Sequence, residues 1–125
     1  MPIVNSEVSG HVVDAAIQVH TALGPGLLES AYEACLAVAL RKRGLRVERQ
    51  VPMPIVFDGT RINVGYRLDL LVAQEVVVEL KTVKRLLPIH HAQILSYMRL
   101  GRHPVGLLLN FHVPRMRDGI VRLAN

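Results

Sequence analysis

The spacing of apolar residues changes character twice along this chain. From residue 6 to residue 22, Val8, Val12, Ala15, Ala16, Val19 and the adjoining Leu23 recur near helical spacing. That period predicts an amphipathic helix, capped by Asn5 or Ser6. Leu23-Gly24-Pro25-Gly26 interrupts it, because Gly ends a helix and Pro cannot continue one. A second helix is predicted from Leu27 to Arg43. Its Ala and Leu content favours helix, its basic last turn complements the macrodipole, and Gly44 stands ready as the residue after the end.

At Leu45 the period shortens to two. Leu45, Val47 and Val51 alternate with Arg46, Glu48 and Gln50, as in a half-exposed strand. Pro52 and Pro54 confine the next stretch to an edge or a bulge, and Asp58-Gly59 is a hairpin turn signal. Two further strands are predicted over 67–73 and 76–81. Pro88 then opens a third helix that Gly101 ends, and 105–111 is a short buried strand. The predicted order is α-α-β-β-β-β-α-β, a single domain over 1–125, with no repeat and no low-complexity linker. The tail from Pro114 to Asn125 is assigned no element.

The hairpin 67–81 contains an anomaly. Val76-Val77-Val78 begins as a buried strand, yet Glu79 and Lys81 follow. If the turn is centred on Gln74, Asp69 falls opposite Glu79, each five residues away. Period two then puts Asp69, Leu71, Val77, Glu79 and Lys81 on one face, and Leu68, Leu70, Val72, Val76, Val78 and Leu80 on the other. The second face is wholly apolar and belongs to the core. The first is apolar at the turn and charged at the open end. Two carboxylates facing one another repel, and burying them unpaired costs more. A hard divalent cation offsets both terms, and Lys81 on the same face is placed to hold a water or a phosphate. The competing reading is an ordinary salt bridge from Lys81 to Asp69 or Glu79, with Arg67 helping.

Composition changes this picture in a few respects. Half of the 125 residues are hydrophobic, but Trp is absent and there are three Tyr and two Phe, so the core rests on aliphatic side chains. Fifteen Lys and Arg against ten Asp and Glu give a formal charge of +5, which permits a polyanionic partner such as nucleic acid. The single cysteine, Cys35, excludes an intrachain disulfide; its Ala/Leu neighbours predict a core position. No Cys/His spacing resembles a zinc site, and neither a leader pattern nor a membrane-length apolar run is seen, so the expected setting is cytoplasmic. The aromatic-poor, apolar composition is compatible with a homodimer.

Two further elements bear on chemistry. Glu29 sits in the opening turn of the second helix with Tyr32 three residues on, and Gln93 and Tyr97 form an i, i+4 pair on the third. Each by itself also suits a purely structural or solvated role. Together, Gly26-Leu-Leu-Glu29-Ser-Ala-Tyr32, RLDLLV, VVVELK, HAQILSYMRL and VGLLLNF resemble the PD-(D/E)XK nuclease superfamily, and more narrowly its GxxExxY proteins, over roughly residues 8–123. The resemblance implies an α/β fold with an α-β-β-β-α-β core, a central mixed sheet flanked by helices, and here an extra N-terminal helix. By position, Asp69 and Glu79 resemble the metal-binding acids, Lys81 the catalytic lysine, and Glu29 an acid that adds to the metal shell. Gln93 and Tyr97 resemble a supporting QxxxY element. Leu68 stands where the superfamily's name puts Pro.

The implied activity is hydrolysis of DNA or RNA phosphodiesters with Mg²⁺ or Mn²⁺. The alternative is a catalytically silent member that binds nucleic acid or serves another protein. Lys84 and Arg85 are candidate phosphate contacts, or a solvated loop. His20 either lines the same cleft or only ends its helix. His90 and His91 either touch phosphate or lie in solvent.

Overall fold

The computed structural model describes residues 6–124. The capping reading at Asn5 or Ser6 lies outside the described side chains. Helix α1 spans Ser6–Leu23 and α2 Glu29–Lys42. Strands β1 (Val47–Pro52), β2 (Ile55–Phe57), β3 (Thr60–Ile62), β4 (Arg67–Val72) and β5 (Val76–Lys81) follow. Then come α3 (Pro88–Gly101), β6 (Val105–Asn110), a 3₁₀ turn at Met116–Gly119, and β7 (Ile120–Ala124). The three predicted helices and the strands at 67–81 and 105–110 are present. Five strands rather than four precede α3, because Asp58 (φ 51°) and Gly59 (φ 75°) close a separate hairpin from β2 and β3. Both turn residues at positive φ suit a two-residue hairpin loop. The tail adds the 3₁₀ turn and an edge strand.

Five strands form the main sheet in the order β1-β4-β5-β6-β7. All neighbours are antiparallel except β5 and β6, which run parallel with α3 as their crossover. The sheet is therefore mixed. Pro52 ends β1, an edge strand, where its missing N–H breaks no ladder. Helices α1 and α2 cover one face, in a cluster with Leu70, Val72, Val76, Val78, Leu80, Leu107 and Leu109. Helix α3 covers the other, where Ile94, Tyr97 and Met98 pack on Leu71, Val77 and Leu108. Strand β6 is buried along its whole length, as a central strand covered on both faces must be. Gly106 on β6 lets α3 approach closely: a Cβ there would come within 2.5 Å of Met98 Sδ.

Two expectations are corrected. Leu68 does not share the core of Leu70; it packs in the α3-side cluster. The β1–β4 pairing passes from Arg49↔Leu70 to Val51↔Leu68, skipping Gln50 and Asp69, and Gln50 takes a left-handed backbone (φ 52°). The ladder is broken there, and strict alternation fails with it. Cys35 is exposed, not core. In α2 the buried face carries Tyr32, Glu33, Leu36, Ala37 and Leu40, which leaves Cys35 and Val38 outside.

Candidate active site

The β4–β5 hairpin turns at Ala73 and Gln74, both at positive φ, and its ladder runs Val72↔Val76, Leu71↔Val77, Leu70↔Val78. The same register carried one step further sets Asp69 against Glu79, as the symmetry about Gln74 predicts. There the backbone pairing stops and side chains take over. The Asp69 N–H donates to Glu79 Oε1 at 3.1 Å, and the Leu80 N–H donates to Asp69 Oδ2 at 2.9 Å. Each carboxylate is thus tied to the opposite strand and held by a rigid element.

Among the described residues, neither carboxylate has a cation within 4.0 Å; the ion pairs there are Arg43–Asp14, Arg46–Glu48 and Arg49–Glu33. The salt bridge expected as the competing reading does not form. Lys81 instead places Nζ 3.5 Å from Gln93 Oε1 on α3. Arg67 donates to the Gln50 carbonyl at 3.3 Å.

The electrostatics follow from this geometry. Glu79 is buried, and burial, then the charge of Asp69, pushes its pKa up to about 8. The Asp69 N–H and the charge of Lys81 pull the other way, less strongly. Glu29, half-buried at the start of α2, is also raised, by burial first and then by Asp69, with Lys81 opposing. Asp69 on β4 therefore acts on acids of both α2 and β5. Burial and the charge of Glu79 raise the Tyr97 phenol as well, which brings α3 into the same field. Among the described residues, no three His, Cys, Asp or Glu side chains form a closed metal-holding group. The donor set that fits a metal is the linked pair Asp69 and Glu79: hard oxygens of two adjoining carboxyl groups, with no ion-pair partner within 4.0 Å among the described residues. Mg²⁺ is commonly held by one or two carboxylates with waters completing its shell.

The structure brings Asp69, Glu79, Lys81, Glu29, Gln93 and Tyr97 into this one electrostatic neighbourhood. It puts Lys84 and Arg85 on the exposed loop between β5 and α3. That loop is anchored by buried Asn110, whose amide donates to the Val83 carbonyl at 2.8 Å while its Oδ1 accepts the Val83 N–H at 3.1 Å. His20 goes elsewhere. It is buried, 2.8 Å from the Val113 carbonyl, in a second pocket with Thr21, Pro25 and Arg115. His90 accepts the Leu87 N–H at Nδ1 (2.9 Å), and His91 Nδ1 lies 3.2 Å from the Leu87 carbonyl, so both are engaged at the start of α3.

Three contributors carry little signal in the sequence. Glu33 is buried and accepts from Gln50 Nε2 (2.7 Å) and Arg49 Nε (3.2 Å). The same Gln50 amide lies 3.5 Å from Asp69 Oδ1, so it links α2 to the strand that carries Asp69. Asn110 holds the loop behind Lys81. Glu33 had one signal, its position four residues after Glu29 on the same helical face. The Tyr of GLLESAY does not face the carboxylates. Tyr32 stacks on Phe111 at 4.5 Å, donates to the Gly24 carbonyl, and accepts the Leu27 N–H at 3.1 Å. It pins the Gly-Pro-Gly loop and so fixes where α2 begins and where Glu29 projects.

The family model described as the PD-(D/E)XK nuclease superfamily matches residues 6–123. No curated protein and no solved structure matches the chain. No helix among the described residues is long and apolar enough to cross a membrane.

Proposed function

The chain belongs to the PD-(D/E)XK nuclease superfamily, and from that premise we propose that it is a divalent-metal-dependent nuclease of the GxxExxY type, acting on phosphodiester bonds of DNA or RNA. The observation that carries this reading is the pair Asp69 and Glu79, half-buried and buried, bonded to each other's strands and lacking an ion-pair partner among the described residues. A buried acidic pair without a counter-ion is costly, and a bound cation is what relieves it. Asp69 and Glu79 would hold Mg²⁺ or Mn²⁺, with Glu29, whose pKa the charge of Asp69 helps raise, as the α2 acid that would add to the shell. The ion, when bound, supplies Lewis acidity toward the phosphate and lowers the pKa of water.

The chain's own residues do the rest. Glu79, whose raised pKa favours the protonated form, would release that proton to solvent on binding the ion. Lys81, on the same face two residues on, places a positive charge where the phosphate gains negative charge in the transition state. Gln93 orients the Lys81 ammonium from α3. Tyr97 stands on the α3 side of the site. Asp69 is positioned from behind by Gln50, and Gln50 by Glu33.

A second reading is a silent nuclease fold that binds nucleic acid without cutting. One observation favours it: the absence, among the described residues, of a three-ligand metal group. Two measurements separate the readings. Mg²⁺ or Mn²⁺ should raise the thermal midpoint of the wild type over EDTA and leave Asp69→Ala unmoved, since a ligand that binds only the native state stabilises it. Single- and double-stranded DNA and RNA should then be cut by the wild type alone. Equal cutting by Lys81→Ala would remove the mechanism. Metal-independent, salt-sensitive binding without cutting would establish the silent reading.

A further inference from the structure

Next to the carboxylates, between α3 and the β2–β3 hairpin, lies a cavity of about 820 Å³. Its size falls within the range of small-ligand sites, about 300–1,000 Å³. Three of its walls are apolar: Ile55 from β2, and Ile89 and Leu100 from the two ends of α3. Two are aromatic, Tyr66 and Tyr97, with ring centroids 6.0 Å apart and planes tilted by 50°. Ile89 is 67 % exposed and Tyr66 45 %. Much of the apolar surface of both is therefore open to solvent. The charged lining is one-signed: Lys81 and Arg99 border the cavity, and none of the described residues that line it is acidic. Lys81, Gln93 and Tyr97 belong both to this cavity and to the carboxylate site, so the two spaces are continuous.

An apolar, tyrosine-walled recess opening onto a lysine at a phosphate-cutting centre matches one chemical unit: a flat aromatic base attached to a phosphate. We propose that this cavity seats an unpaired nucleobase of the strand whose phosphate lies at Asp69, Glu79 and Lys81, so that the substrate class is single-stranded or frayed nucleic acid. The inference rests on the nuclease reading and sharpens it. A base inside an intact duplex is stacked on both faces and paired along its edge, so it reaches such a recess only by leaving the helix. A free strand has no such penalty, and stacking of a base on an aromatic side chain is sequence-tolerant. His90 accepts the Leu87 N–H at Nδ1, which leaves the neutral ring's proton on Nε2 as a donor. Arg99 adds charge for the flanking phosphates.

The test is fluorescence-anisotropy binding of the full chain in EDTA, where no metal-dependent turnover occurs. The probes are a labelled single strand, the same strand with consecutive abasic sites, and its blunt duplex, each made in deoxyribose and ribose forms. The abasic strand keeps every phosphate and loses only the bases. The wild type should bind the intact strand about fivefold or more tightly than the abasic strand, and more tightly than the duplex. Tyr66→Ala and Ile89→Ser should each bring the intact-to-abasic ratio below about twofold. Ile89 is exposed enough that its replacement leaves the fold intact, which protects the test against a misfolded Tyr66 variant.

A wild-type ratio near one overturns the proposal, as does tighter binding of the duplex, a ratio that survives both substitutions, or no binding at all. Metal-dependent cutting is scored separately in the same preparation. Cutting with a ratio of one keeps the nuclease and removes the base pocket. A ratio of five or more without cutting keeps the pocket and removes the nuclease.

Discussion

The two ends of the β4–β5 hairpin are built from the same two strands and behave as opposites. At the turn end, Val72, Leu71 and Leu70 pair with Val76, Val77 and Val78 through a regular backbone ladder, and all six are buried. At the open end, one step beyond Leu70↔Val78, the strands are joined instead through Asp69 and Glu79. The turn end lowers the free energy of the fold by removing apolar surface from water. The open end gives up some of that stability to keep two carboxyl groups close, one of them buried. Putting both on a single hairpin means that the ladder sets the position of the carboxylates to within the rigidity of a sheet. A site built this way should lose stability when the first end is damaged and activity when the second is.

Substitutions break that contrast in order of size. Leu70→Ala, at a position with no solvent exposure, should cost about 2–5 kcal/mol of unfolding free energy in a denaturant melt. Residual activity per folded molecule should stay near wild type. Lys81→Ala should do the reverse. Cutting should fall about 100-fold or more, while the melt moves by less than about 1 kcal/mol, because Lys81 makes no ion pair within 4.0 Å among the described residues.

The pH dependence sharpens the comparison further. Folded Glu79 titrates at about 8, against an ordinary value of 4.5. Between those values the folded chain binds more protons than the unfolded one, so the Glu79 contribution to stability is largest below about pH 4.5. It is lost as pH rises toward 8. In EDTA, Glu79→Gln should therefore match the wild type near pH 4.5. By about pH 8 it should exceed the wild type's thermal midpoint by about 4 °C or more, roughly what 1 kcal/mol moves a domain of this size. With Mg²⁺ present the wild type should regain the difference and the variant should not. Smallest of all, Tyr32→Phe keeps the stack on Phe111 and loses its bonds to Gly24 and Leu27. It should cost about 1 kcal/mol and a few-fold in activity, through looser placement of Glu29.

Much of this hairpin is legible in the order of its residues. Period two and the distance of each acid from Gln74 put Asp69 against Glu79, and a tight turn leaves no other register. The Gly-Pro-Gly break and the acidic start of α2 likewise place Glu29 at a helix end. Other features have no local signature. The exposure of Cys35 depends on which side of an Ala-rich helix faces the sheet, and hydropathy hardly distinguishes those sides. The detour of Leu68 accompanies a break in the pairing at Gln50, on a neighbouring strand.

What the sequence determined by itself was therefore periodic and local: the helices, the hairpins, and the opposition of two carboxylates. Those follow from backbone geometry over a few residues. Tertiary structure alone decided which charges go unpaired and which do not. Lys81 turns toward Gln93 on α3, and Arg49 goes to Glu33 on α2. His20 meets Val113, far along the chain, rather than the cleft. Pairing of that kind is set by which elements pack across the sheet, and that is settled by the burial of two apolar faces, not by the spacing of the charged residues themselves.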